Sequence, residues 1–89
     1  MPHSTEHQRI HTKMVKQAFK VVVKQTGIPY VTVFQRFVDA EPECNTLVWE
    51  AFYRLFPDSP YHFVTYCHGC RSFDLYKTQQ DMLLDGPVW

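Results

Sequence analysis

The stretch between Pro42 and Pro57 constrains the fold of this chain more than any other segment. Proline is tolerated in the first turn of a helix, and it stops a helix that runs into it. Between these prolines apolar side chains recur every three or four residues, which is the period of one helix face. That face consists of Cys44, Leu47, Val48, Ala51, Phe52 and Leu55. A second apolar line, Trp49, Tyr53 and Phe56, lies beside it, so we predict a helix that is buried on two sides.

A longer amphipathic helix is predicted from about Thr5 to Gln25, and Gly27 is placed to end it. Its apolar face, expected in the core, holds Ile10, Met14, Ala18, Val21 and Val22, with Val15 nearby. At 100° per residue the basic side chains form a stripe about 80° wide on the opposite side. The members of this basic stripe are Arg9, Lys13, Lys16, Lys20 and Lys24. Because the run 21–23 is β-branched, a hairpin of residues 19–24 with the next segment is the alternative.

Residues 30–38 are rich in β-branched and aromatic side chains, which favours a strand. Alternation along this strand would turn Val31, Val33 and Phe37 toward the core. The opposite face would carry Tyr30, Thr32, Phe34 and Arg36.

The segments 61–67 and 70–77 flank His68-Gly69 and predict a hairpin with a two-residue turn. The register that follows pairs Tyr66 with Arg71, Val64 with Phe73 and His62 with Leu75. Residues 78–89 are expected to be either a packed tail or a mobile peptide, and the first four residues are also expected to be mobile.

The predicted fold is therefore an α+β single domain spanning residues 1–89, in the order helix, strand, helix, strand, strand. Two helices would pack on one face of a short antiparallel sheet. A chain of 89 residues buries only about 60–65% of the surface that its unfolded chain exposes, and such chains often gain stability from self-association.

Composition and charge narrow the class of protein. The chain is 45% hydrophobic and 16% aromatic, which indicates a globular protein, and no apolar run is long enough to span a bilayer. Its three cysteines and the absence of a signal-peptide pattern favour a reducing compartment. We expect a cytoplasmic protein, and a nuclear location is the alternative. Residues 1–38 carry six basic and one acidic side chain, whereas residues 39–89 carry three basic and eight acidic ones.

The Cys67-His68-Gly69-Cys70 motif is the most site-like pattern in the chain. Two cysteines at this spacing can supply two zinc ligands, and His7 and His11, one helical turn apart, can supply two more. Cys44 and His62 are other candidate ligands. The structural interpretation is that Cys67 and Cys70 are neighbours beside a hairpin turn, and we favour it over zinc. A redox pair is disfavoured because the motif lacks a βαβ setting.

No motif indicates catalysis or a cofactor, and the zinc interpretation is not favoured. A nucleophilic cysteine needs an oriented imidazole, and no local pattern marks such a pair. Three glycines are too few and too scattered to cradle a phosphate. We therefore expect a protein that is not an enzyme and that holds no cofactor.

The surplus of aromatic residues favours a protein-binding module of the adaptor, regulator or inhibitor type. The candidate partner-binding residues are Tyr30, Phe34, Arg36, Trp49, Tyr53, Phe56, Tyr61, Phe63 and Tyr76. The basic stripe would steer an acidic protein surface toward them. The same aromatic surface can form a homodimer.

The alternative function is nucleic-acid binding. Bases can stack on an aromatic sheet face while the basic stripe holds phosphates. Residues 19–38 also resemble a helix-turn-helix, with Gly27 at the turn and Ile28 and Val33 at apolar positions. Arg36 departs from that pattern, since an apolar residue is expected there.

Overall fold

The computed structural model describes residues 5–85. Among these residues it contains four helices and one two-stranded antiparallel sheet, which confirms the α+β class. The helices are α1 (Thr5–Thr26), α2 (Tyr30–Val38), α3 (Pro42–Leu55) and α4 (Gln79–Asp85), and the strands are β1 (Phe63–Cys67) and β2 (Ser72–Tyr76). The long N-terminal helix and the helix between the two prolines lie at the predicted positions, although Leu55, predicted on the core face of α3, is 40% exposed. None of the described helices has the length and apolarity needed to cross a membrane.

Residues 30–38 form helix α2, so the predicted strand is wrong. The chain turns at Gly27, which has a φ of 76°, and Pro29 precedes the first helical turn, where its carbonyl accepts from the N–H of Val33. Val33 and Phe37, four residues apart, are both buried. Strand propensity depends on packing context, and here burial of a helical face overrides it. The element order is therefore three helices, two strands and a short helix.

The described chain divides into two compact units. The helical unit comprises residues 14–59, and the hairpin unit comprises the described residues up to Lys13 and from Pro60 onward. Helix α1 contributes residues to both. The prediction of one domain over residues 1–89 stays a prediction.

The core of the helical unit is built around Phe19, whose exposed fraction is 0%. Its ring makes edge-on contacts with Tyr30, Phe34 and Phe37 of α2 at centroid distances of 5.8, 6.0 and 5.3 Å. Such pairs add to the stabilisation that burial of the rings provides. The remaining buried apolar residues of this unit are Val15, Ala18, Val22, Val33, Cys44, Val48, Ala51 and Phe52.

The buried face of α1 is rotated relative to the prediction. Ala18 and Val22 are buried as expected, but Ile10 is 50% exposed, and Met14 and Val21 are only half-buried. At 100° per residue, a face centred on Phe19 cannot also contain Ile10. Burial of the large Phe19 ring therefore decides which side of the helix turns inward.

In the hairpin unit, β1 and β2 pair in a register displaced by two residues from the predicted one. Tyr66 lies opposite Phe73 and Val64 opposite Leu75. A shift of two residues keeps each side chain on its predicted face, whereas a shift of one would have reversed the faces. The cause is the turn, which is four residues long and includes Arg71 at a φ of 55°.

The free edge of β2 is capped by side chains of α1. Thr12 Oγ1 accepts a hydrogen bond from the N–H of Phe73 at 2.8 Å, and His11 Nδ1 accepts one from the N–H of Leu75 at 3.0 Å. All four residues are buried. Since an isolated two-stranded hairpin is only marginally stable in water, these bonds tie it to the helix.

Candidate functional site

The strongest candidate surface in the helical unit is the aromatic line of α3, which consists of Trp49, Tyr53 and the C-cap residue Phe56. All three side chains are half-buried. The Trp49 and Tyr53 rings stack with centroids 5.5 Å apart and an interplanar angle of 28°. Beneath them, buried Phe52 contacts Trp49 at 5.2 Å and Phe56 at 5.2 Å. The line is therefore held rigidly on the core while part of each ring stays accessible to solvent.

Acidic and apolar side chains surround this line in the sequence of α3. Glu43 and Glu50 are exposed, and Glu50 lies three residues before Tyr53, close to it on the helix surface. Leu55 is 40% exposed, and Val31 of α2 is 70% exposed. The exposed side of α3 thus combines apolar area with two carboxylates and one guanidinium, that of Arg54.

The basic stripe lies on α1, as predicted, and all five of its side chains are exposed. Among the described residues, none of the five forms an ion pair. Lys16, Lys20 and Lys24 belong to the helical unit and follow one another at intervals of four. They present positive charge along one side of the helix.

The predicted aromatic sheet face is not assembled. Tyr30 and Phe34 lie on α2 and contact Phe19, and burial raises the pKa of Tyr30. Tyr76 is on β2 but is only 7% exposed. Tyr61 and Phe63 are half-buried in the hairpin unit. The prediction failed because it placed residues 30–38 in the sheet.

Arg36 is exposed on α2, and its Nε lies 3.6 Å from Oε2 of Glu41. The two side chains are 46% and 40% exposed. Salt bridges this accessible contribute little to stability. Arg36 is therefore available to a partner at small cost.

The four residues proposed for zinc do not form a described metal site. Within residues 5–85, no group of three or more His, Cys, Asp or Glu side chains is placed to hold a metal ion. His11 Nδ1 instead accepts the Leu75 N–H, and the side chain of His7 lies outside the described part of the chain. Of the other candidates, Cys44 donates to the carbonyl of Val33 at 3.4 Å.

Cys67 and Cys70 lie together at the tip of the hairpin, but they are not the cross-strand neighbours that the structural interpretation expects, because Cys67 pairs with Ser72 and Cys70 lies within the turn. The backbone N–H of Cys70 donates to Cys67 Sγ at 3.3 Å. This bond, together with a second one from the Cys70 thiol, lowers the pKa of Cys67. The same hydrogen bond between the two side chains holds the proton on Cys70 and raises the pKa of Cys70. The two sulfurs are accessible, since Cys67 is half-buried and Cys70 is exposed.

Cys44 has a different environment. Burial raises the pKa of its thiol, and the nearby carboxylate of Glu41 raises it further. It lines a small cavity of about 60 Å³ together with Val22, Val33 and Leu47. A protonated, hydrogen-bonded thiol of this kind is a structural group and a poor nucleophile.

Sequence reasoning missed the role of three polar residues on the buried side of α1. Gln8, His11 and Thr12 are 7%, 9% and 9% exposed, and His11 and Thr12 cap the sheet edge. Their spacing of three and four residues was the available signal, because it places them on one helix face.

Comparison with protein-family models, with curated proteins and with solved structures found no match to this chain.

Proposed function

We propose that this protein is a non-catalytic protein-binding module whose binding surface is the aromatic line of α3, and that it pairs with a second copy of itself. The Trp49–Tyr53 stack carries the proposal. The three cysteines of the protein are all free thiols, which suits a cytoplasmic compartment, where disulfides are rare.

The chemistry of the aromatic line suits protein recognition. Trp and Tyr offer large apolar area with a polar tip, and they lose little conformational entropy on binding because few torsions must be fixed. Here the rings are already fixed by their contacts with Phe52. Residues of these types dominate the binding energy of protein interfaces.

Charge favours a second copy as the occupant. The helical unit exposes Lys16, Lys20 and Lys24 on α1 and Glu43 and Glu50 on α3. A two-fold dimer uses the same surface on both subunits, so a basic and an acidic helix on each can meet their opposites twice. In such a dimer, the basic stripe of one copy would attract the acidic side chains of α3 on the second copy.

Sedimentation velocity over a wide range of protein concentration tests this proposal. The parent should pass from monomer to dimer, and Trp49→Ala should shift that transition to higher concentration by at least tenfold, the cost of a typical interface anchor. Phe63→Ala is the matched control, because it removes a half-buried ring of the hairpin unit and should leave association unchanged. A chain that stays monomeric throughout, or a Trp49→Ala variant that dimerises like the parent, sinks the proposal.

A charge exchange isolates the electrostatic part. Lys16→Glu with Lys20→Glu should weaken dimerisation at low salt, and adding Glu43→Lys with Glu50→Lys should restore it. The exposed Lys77→Glu is the control for net charge. Failure of the exchange to restore dimerisation would contradict the pairing of α1 with α3.

One observation favours nucleic-acid binding as a second candidate. Helices α1 and α2 are joined by three residues that include Gly27 at a positive φ, which matches the turn of a helix-turn-helix. Against this, Arg36 is the one basic residue of α2 and lies beside Glu41. A recognition helix with so little positive charge has few contacts to offer phosphates.

Fluorescence anisotropy of labelled random single- and double-stranded oligonucleotides distinguishes the two candidates. Nucleic-acid binding predicts affinity that falls steeply with salt and is lost when Lys13, Lys16 and Lys20 are all changed to Ala. Protein binding predicts no signal at low salt. Duplex binding that also requires Arg36 would move the helix-turn-helix interpretation to first place.

A further inference from the structure

The tip of the hairpin brings together two thiols and an amide that the proposed binding surface does not use. Cys67 and Cys70 flank His68 and Gly69 and interact through the N–H of Cys70, which donates to Cys67 Sγ at 3.3 Å. Both sulfurs are accessible to a small reagent, since neither residue is buried. The spacing and accessibility are those of a dithiol that can close on itself.

An independent observation points to the same place. Gln8 of α1 is 7% exposed, and its Nε2 has no hydrogen-bond partner. It lies beside Cys70, where it can donate to a thiolate. A buried amide donor without a partner is destabilising, because it has lost its hydrogen bonds to water. Negative charge on the Cys70 sulfur would give it an acceptor.

We propose that Cys67 and Cys70 form a reversible intramolecular disulfide by exchange with a low-molecular-weight disulfide such as oxidised glutathione. The Cys67 thiolate attacks one sulfur of the small disulfide, forming a mixed disulfide and releasing one small thiolate. The Cys70 thiolate then attacks Cys67 Sγ and releases the second. The protein loses two electrons and two thiol protons, and the small disulfide is reduced to two thiols.

The roles of the two cysteines follow from their surroundings. Hydrogen bonds from Cys70 favour the thiolate of Cys67, which makes it the attacking group. Once the Cys67 thiolate is capped, its hydrogen bond with the Cys70 thiol and its repulsion of a Cys70 thiolate are both weakened, and the Gln8 amide supports that thiolate. Gln8 is therefore a positioning residue for the second step.

The test equilibrates the full chain in buffers of graded reduced and oxidised glutathione, traps free thiols with N-ethylmaleimide under denaturing conditions, and measures mass. Oxidised protein should carry one maleimide, on Cys44, and no glutathione, and dithiothreitol should restore three maleimides. Cys70→Ser changes an exposed residue and should instead accumulate glutathione on Cys67. Gln8→Met, which keeps the volume and removes the amide, should slow closure severalfold without changing the rate of the first step.

Two results would overturn the proposal. One is a parent protein that keeps three reactive thiols across all buffers. The other is a parent that retains glutathione as Cys70→Ser does, because Cys70 would then not reach Cys67.

Discussion

The ring of Phe19 lies in the core of the helical unit. It has no exposed surface and contacts three rings of α2. Phe19→Ala should lower the free energy of unfolding by about 3–5 kcal/mol, from lost burial and the cavity left behind. Urea denaturation followed by circular dichroism measures the change.

Ile10→Ala is the control for Phe19, because Ile10 is an apolar residue of the same helix that is 50% exposed. It should cost less than about 1 kcal/mol. A larger loss at Ile10 than at Phe19 would mean that the helix buries the face predicted from periodicity.

The two hairpin thiols should differ in their response to pH. The pKa of Cys67 is lowered by its hydrogen bonds from Cys70, and the pKa of Cys70 is raised by Cys67. Because the thiolate is the reactive form, alkylation of Cys67 by iodoacetamide should persist to lower pH than that of Cys70. Fragmentation mass spectrometry of the peptide assigns each modification. If the two cysteines react alike in urea, the fold causes the difference in their reactivity. Equal pH profiles of alkylation in the folded protein would contradict the prediction.

At the level of elements, the edge of β2 depends on two acceptors from α1. Thr12→Val keeps the shape of the side chain and leaves the buried N–H of Phe73 without its partner. We expect a loss of about 1–3 kcal/mol in the free energy of unfolding. Amide hydrogen exchange should be faster at Phe73 and should identify the site of the loss.

Thr46→Val is the matched control for Thr12. Thr46 lies on α3, where its exposed hydroxyl donates to the Pro42 carbonyl at 3.0 Å. Its replacement should change stability by less than about 0.5 kcal/mol. Equal effects at both positions would contradict an edge-capping role for Thr12.

The elements differ in how far sequence predicted them. Helices α1 and α3 were found because a long periodic pattern with proline or glycine at its ends leaves few alternatives. The sequence predicts a strand for α2 because seven of its nine residues are β-branched or aromatic. The positions Tyr30, Val33, Phe34 and Phe37 already had helical spacing.

The candidate sites divide in the same way. The aromatic line and the basic stripe depend on positions within one helix, so periodicity placed them correctly. The prediction of an aromatic sheet face was wrong because it required residues from separate elements to lie together in one sheet. The capping of β2 by His11 and Thr12 and the proximity of Gln8 to Cys70 depend on contacts across about 60 residues, which no local pattern contains.

For the whole molecule, the proposed self-association would make stability depend on protein concentration. A chain of 89 residues has a small core, and pairing through the aromatic line and the two charged helices would remove more apolar surface from water. If dimers form and unfolded chains do not associate, the midpoint of thermal unfolding should rise by roughly 3–5 °C for each tenfold increase in concentration above the dissociation constant. Trp49→Ala should flatten this dependence, and high salt should reduce it by screening the lysines. A midpoint that does not change with concentration would show that the folded chain is stable as a monomer, and the aromatic line would then have to serve a different protein.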